Sequence, residues 1–366
     1  MKAVLTRTVT DAEGEQRLDR WFRKHYPDLG QIRLQKLLRT GQVRVDGKRA
    51  ETSTRVQPGQ AIRIPPLPES TPKPKGHKPK VSERLVKDLL SRVLYRDEDV
   101  LVINKPAGLA VQGGTGTSQH LDGALDELRF GAEERPRLVH RLDRDTAGVL
   151  VLARTQDAAR KLAESFRRHK ARKYYWAVTL GVPELKRGKI DAALLKSQGA
   201  FEKMEVNDED GQEAITYYAV VDRADRAAAW VALWPVTGRT HQLRAHMATI
   251  NTPMLGDPKY GNRDEFGLPR QLHLFARRLI IPHPRKGVLD VVAPLPEHFK
   301  AAWHMFGFQG LDDGDPFATL DPRAERREKI ANAKAAEEKY RAARKEQIER
   351  AAQKAAAVKR KPKGRQ

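Results

Sequence analysis

At 366 residues, with 32% charged and 39% hydrophobic side chains and a formal net charge of +22, the chain is too long for one average domain and basic enough to require an acidic partner. It has no cysteine, which excludes disulfides and thiolate metal sites. There is no hydrophobic span and no apolar signal core at the start, so we expect a cytoplasmic protein without a membrane partner. Nucleic acid is the expected partner, because Lys and Arg release condensed counterions when they neutralise phosphates.

In chain order, the first segment runs to about Ile64. Leu18, Trp21 and Phe22, then Ile32, Leu34, Leu37 and Leu38, have the spacing of two short amphipathic helices, with Gly41 as a stop. Val43-Arg44-Val45 alternates like a strand, Asp46-Gly47 signals a tight hairpin turn, and Ile62-Arg63-Ile64 supplies a further strand. Arg17, Arg20, Arg33, Lys36, Arg39 and Arg44 make this module basic. The runs Arg17-Leu18-Asp19, Gln35-Lys36-Leu37-Leu38 and Gly41–Lys48 resemble the S4 RNA-binding domain, which we place at residues 15–64. Gly30-Gln31 stands where that family often has Ser-Arg. The resemblance implies that Arg33, Lys36, Arg39 and Arg44 contact RNA.

Residues 65–81 are rich in Pro and Lys and predict an extended linker, since such a stretch cannot offset ordering entropy by burial. Residues 82–307 carry mixed α+β signals. Val100–Ile103, Gly148–Ala153 and Trp230–Trp234 predict buried strands, and Ala158, Leu162 and Phe166 mark one face of a helix starting after Thr155. From residue 321 to 366 repeated Ala, Glu, Lys and Arg without an apolar stripe predict a basic tail, helical or disordered.

The chemistry centres on His140-Arg141-Leu142-Asp143-Arg144-Asp145-Thr146-Ala147-Gly148, a polar loop that feeds a buried strand. In extended backbone its two carboxylates would point the same way, and periodicity does not choose between them. On spacing alone the loop is better explained as a charged cap of the strand, held by Arg-Asp pairs.

Six segments in order change that balance. Asn104-Lys105-Pro106-Ala107-Gly108, His140–Gly148, Lys173-Tyr174-Tyr175-Trp176-Ala177, Thr237–His246, Leu255-Gly256-Asp257-Pro258-Lys259-Tyr260-Gly261 and His283-Pro284 resemble the RluA family of pseudouridine synthases across most of residues 93–300. Ala147 stands where the family has Ser, and Phe275 where relatives commonly have His. The resemblance implies an α+β catalytic domain with a mixed or antiparallel sheet, and an isomerase that turns uridine in ribosomal RNA into pseudouridine. It implies Asp143 as the nucleophile, attacking either the sugar C1′ or the uracil ring. Arg244 would pair with Asp143 and hold it ionised, Tyr175 would stack on or hydrogen-bond the flipped base, and Arg141 would fill the gap left in the RNA stack. Arg239 is a further expected RNA contact. An isomerisation without net redox needs no cofactor. Gly113-Gly114-Thr115-Gly116 resembles the C type of large-ribosomal-RNA synthase more than the D type, which favours 23S ribosomal RNA, and a monomer is expected.

Other readings of these residues are weaker. His140, His241, His246, His273 and His283 lack metal-ligand spacing, so no metal is expected. The Gly113–Gly116 run lacks the Gly-Lys-Ser/Thr of a P-loop. His140–Asp143 is not accompanied by a kinase's glycine-rich or Asp-Phe-Gly motifs. The remaining alternative is a noncatalytic RNA-binding or ribosome-assembly protein on the same scaffold. Asp143, Tyr175 and Arg244 together argue against it, since binding phosphates needs no aspartate.

Overall fold

The computed structural model describes residues 4–67, 81–114, 117, 119–197, 203–261, 266–268, 270–309 and 314–320. Most of the expected linker, residues 115 and 116 of the glycine-rich run, and the expected tail lie outside the described residues. The chain divides into two compact units, Met1–Lys80 and Val81–Gln366.

In the first unit, helices Leu18–His25 and Gln31–Arg39 form where the apolar spacing places them and bury Leu18, Trp21, Phe22, Leu34 and Leu38. Asp46 and Gly47 both take positive φ, 47° and 74°, the geometry of a primed turn, and they join strands Arg44–Val45 and Lys48–Arg49. Asp46 also accepts the Ala61 N–H at 2.8 Å. Strand Leu5–Thr8 pairs with Ala61–Ile64, so ordered packing begins before residue 15.

The second unit is built on a large mixed sheet. Its strands run in the order Arg187–Asp191, Ile215–Ala224, Ala228–Pro235, Arg172–Leu180, Leu274–Pro282, Ala147–Ala153, Val100–Lys105, Val93–Arg96. Val288–Val292 adds to Leu274–Pro282, and Arg137–Leu138 to Ala147–Ala153. Among the described strands of this sheet every pairing is antiparallel except Ala147–Gly148 with Phe275–Ala276.

Both faces of the sheet are covered, and the period of two sorts its side chains between them. Val149 and Val151 pack on one side with helix Gln156–Arg167 and with Phe299 and Trp303 of helix Glu297–Phe306. Leu150 and Leu152 pack on the other with Leu89, Leu121 and Leu125. Thr155 caps its helix by accepting the Ala158 N–H at 3.1 Å, as its position before the apolar spacing predicts. Phe275 is fully buried beside Phe299, so an apolar ring fits this position. Phe308 and Phe317 join the same core, so packing continues past residue 307.

Candidate active site

The loop before the Ala147–Ala153 strand is fixed from three directions. Lys105, fully buried, uses all three ammonium protons on backbone carbonyls, those of Pro106, Leu109 and Arg144, at 2.9, 2.8 and 3.0 Å. Gly108 N–H donates to the Arg144 carbonyl at 2.9 Å, and Arg144 Nε donates back to the Gly108 carbonyl at 3.0 Å. Burial pushes Lys105 down to about 7, with Asp145 and Asp143 acting against it. At the strand entrance Gly148 has φ of 112°, and a Cβ there would lie 2.2 Å from the Ala276 carbonyl oxygen. Only glycine permits that close parallel pairing.

The structure places the two carboxylates differently. The backbone turns, with Thr146 N–H donating to the Asp143 carbonyl at 3.2 Å, so the extended alternation expected from sequence does not apply. Asp143 lines a cavity of about 370 Å³, and Asp145 does not. Tyr175, Arg244, Arg141, Arg239 and His241 line the same cavity. Its size falls within the roughly 300–1,000 Å³ of small-ligand sites.

Tyr175 comes from the Arg172–Leu180 strand and packs against both apolar clusters on its side of the sheet, at their junction. Burial, with the Asp143 charge adding, raises its phenol, which therefore stays protonated and able to donate.

Arg244 lies on helix Gln242–Thr249 and is almost fully buried. Its expected direct pairing with Asp143 is not formed. Nε and Nη2 donate instead to the two carboxylate oxygens of Asp257 at 2.7 and 2.6 Å. Burial opposes the Arg244 charge, but Asp257, Asp143 and Tyr260 outweigh it and raise the group above an ordinary arginine. Asp143 thus feels Arg244 through its field, and its carboxylate has no hydrogen-bond or ion-pair partner among the described residues.

Tyr260 closes this arrangement. Its hydroxyl accepts the Met204 N–H at 2.6 Å and lies 3.4 Å from His241 Nδ1, while its ring lies 5.4 Å from the Arg244 guanidinium. His241 has φ of 50°, a strained backbone for a non-glycine residue. Burial lowers its imidazole against the pull of Asp143, with Arg244 and Lys259 reinforcing the burial. Sequence reasoning gave Asp257 and Tyr260 no role. The only signal for them in the sequence is that they stand together in one motif segment.

The remaining expected residues divide. Arg141 is exposed and borders both the cavity and an adjoining groove that also holds Lys196 and Lys203. Arg239 borders both as well, and its Nε donates to the Glu213 carbonyl at 3.0 Å. Arg33, Lys36 and Arg39 are exposed on the Gln31–Arg39 helix in the other unit, whereas Arg44 is turned back onto the carbonyls of Gly41 and Gly47. The histidines form protein hydrogen bonds: His140 Nε2 accepts Val151 N–H at 2.9 Å, His246 contacts Thr216 and Ala192, and His283 contacts Asp97.

A family model described as RNA pseudouridylate synthase matches residues 99–249. The chain is 37% identical to the ribosomal large subunit pseudouridine synthase C of Rickettsia conorii, over 72% of this chain and 88% of that protein. It is 39% identical to RNA pseudouridine synthase 4, mitochondrial, of Arabidopsis thaliana, over 66% of this chain and 59% of that one. A solved structure of human RNA pseudouridylate synthase domain containing 4 aligns with a TM-score of 0.53 and 31% identity, covering 63% of this chain and 98% of that one. With these matches, the chain belongs to the RluA family of RNA pseudouridylate synthases.

Proposed function

We propose that this enzyme isomerises specific uridines of ribosomal RNA, in the 23S molecule, with Asp143 as the nucleophile. The observation that carries the reading is the Asp143 carboxylate, unpartnered among the described residues, in a cavity whose other walls hold a protonated Tyr175 and the charge of Arg244. A carboxylate cannot reach a glycosidic bond inside an RNA helix, so the target must be flipped out, at a cost of about a few kcal/mol of unstacking. The flipped base enters beside Tyr175, and Arg141 at the cavity edge takes the vacated place in the stack. Arg239, Lys196 and Lys203 in the adjoining groove supply positive charge for the flanking backbone.

The Rickettsia relative is named for the large ribosomal subunit, which supports 23S as the substrate. The first unit is read as an S4 RNA-binding module at residues 15–64, with two helices over a four-stranded sheet and Arg33, Lys36 and Arg39 at spacings of three along one helix. It is followed by a linker at 65–81, a catalytic domain at 82–307 and a basic tail at 321–366. No described helix is long and apolar enough to cross a membrane. We read the enzyme as a cytoplasmic monomer that works without a cofactor.

Mapping of pseudouridines in ribosomal RNA from cells with and without the protein tests this. Specific 23S sites that vanish with the gene and return with it are the expected outcome. An unchanged 23S map overturns the substrate.

A further inference from the structure

Lys173 stands two residues before Tyr175 in the Arg172–Leu180 strand, and the period of two turns both side chains the same way. Both line the catalytic cavity, about 6–7 Å apart along the strand. Among the described residues Lys173 forms no hydrogen bond and no ion pair. Burial alone pushes its ammonium down to about 8.

Its neighbours offer it nothing. His140 feels the Lys173 charge, but its Nε2 already accepts the Val151 N–H, and burial together with Lys173 keeps the ring neutral. The field of Asp143 reaches Tyr175, His241, Arg244 and Lys105, whereas burial is the one influence acting on Lys173. A half-buried ammonium without a protein partner costs stability, and such violations of local rules concentrate at functional sites.

RNA brings two kinds of negative charge: phosphodiesters along the strand, and charge that develops on the base during reaction. The cavity walls also include Phe166 and Leu274, which suit a flat base and not a hydrated phosphate. We propose that Lys173 is a catalytic residue that takes up the negative charge developing on the carbonyl edge of the flipped uracil. This rests on the reading of Asp143 as nucleophile. If Asp143 attacks the sugar, an Oδ–C1′ bond forms, the C1′–N1 bond breaks, and uracil leaves with the electron pair as an anion shared among N1, O2 and O4. If it attacks the ring, an Oδ–C6 bond forms and the C5–C6 π electrons move to O4 as an enolate. Either route loads an oxygen that a cation in the cavity wall stabilises, and preorganised charge of this kind acts on the transition state more than on binding.

The test uses the full-length enzyme on 23S RNA, with single-turnover pseudouridine formation and RNA affinity over a salt series. Lys173→Met keeps the length and removes the charge. Its rate should fall about 10²–10³-fold, as when one oxyanion donor is lost, with an unchanged salt slope and a thermal midpoint no lower than wild type. Lys173→Arg should recover at least about tenfold of that loss, since charge and not shape is what matters. If Lys173→Met lowers the midpoint, Lys173→Gln against Lys173→Arg carries the comparison, and equal rates in those two overturn the proposal. A wild-type rate in Lys173→Met overturns it. So does retained rate with weaker binding and a salt slope reduced by about one, the signature of a phosphate contact. Asp143→Ala runs in parallel: if it is inactive while Lys173→Met is fully active, only this proposal fails, and if it is active, the nucleophile reading fails with it.

Discussion

Arg244 grips Asp257 through two parallel hydrogen bonds of 2.7 and 2.6 Å, and both side chains are buried. The pair spans the Gln242–Thr249 helix and the loop that also carries Tyr260. Asp257 Oδ1 further accepts the N–H groups of Lys259 and Tyr260 at 2.8 and 3.1 Å, so one carboxylate organises both the arginine and its own loop. Arg244 can then project positive potential at Asp143 without moving toward it.

Asp257→Ala should destabilise the protein by about 3–5 kcal/mol, because it strands a buried guanidinium. Equilibrium urea unfolding measures this. A loss below about 1 kcal/mol, the range of exposed pairs, would show that Arg244 finds another partner.

Gly148→Ala places a methyl group against the Ala276 carbonyl at a φ that favours glycine. The expected cost is about 1–3 kcal/mol or more from overpacking, with reduced turnover because Asp143 lies at the mouth of the displaced strand. Thermal unfolding with an activity assay reads both. Wild-type stability would mean that the parallel pairing opens freely.

His140 gives the pH dependence a definite sign. Burial and Lys173 lower it from 6.5 to about 3, and its Nε2 accepts the Val151 N–H, which requires the neutral ring. A group whose folded-state value is depressed contributes fully above its unfolded value. Its contribution is therefore complete above about pH 6.5 and is lost as pH falls toward 3, with a slope of up to about 1.4 kcal/mol per pH unit. The difference in unfolding free energy between wild type and His140→Asn should shrink over that window. A constant difference would remove His140 from the titration.

Much of the fold is legible in the sequence where the signal is local. Asp46-Gly47 specifies its turn through two residues that tolerate positive φ, and Thr155 followed by Ala158 and Leu162 specifies a capped helix. The long strands Ile215–Ala224 and Leu274–Pro282 are harder to see, since Asp222, Arg223, Arg277 and Arg278 interrupt their apolar pattern. Motifs point to Asp143 and Tyr175. What those motifs lack is geometry: which carboxylate meets Arg244, and that Lys105 ties three carbonyls around the catalytic loop. Those contacts join segments far apart in sequence, and no local pattern encodes them. Resemblance points to a pairing of Arg244 with Asp143, and the fold directs both arginine donors to Asp257 instead.

Asp143 and not Asp145 is the reacting carboxylate we propose, and release of tritium from C5-labelled uridine in ribosomal RNA compares them directly. Asp143→Ala should release no tritium while still binding RNA, and Asp145→Ala, altered outside the cavity, should retain turnover within about tenfold, a barrier change near 1.4 kcal/mol. Equal residual activity in the two variants, or turnover by Asp143→Ala, would contradict it.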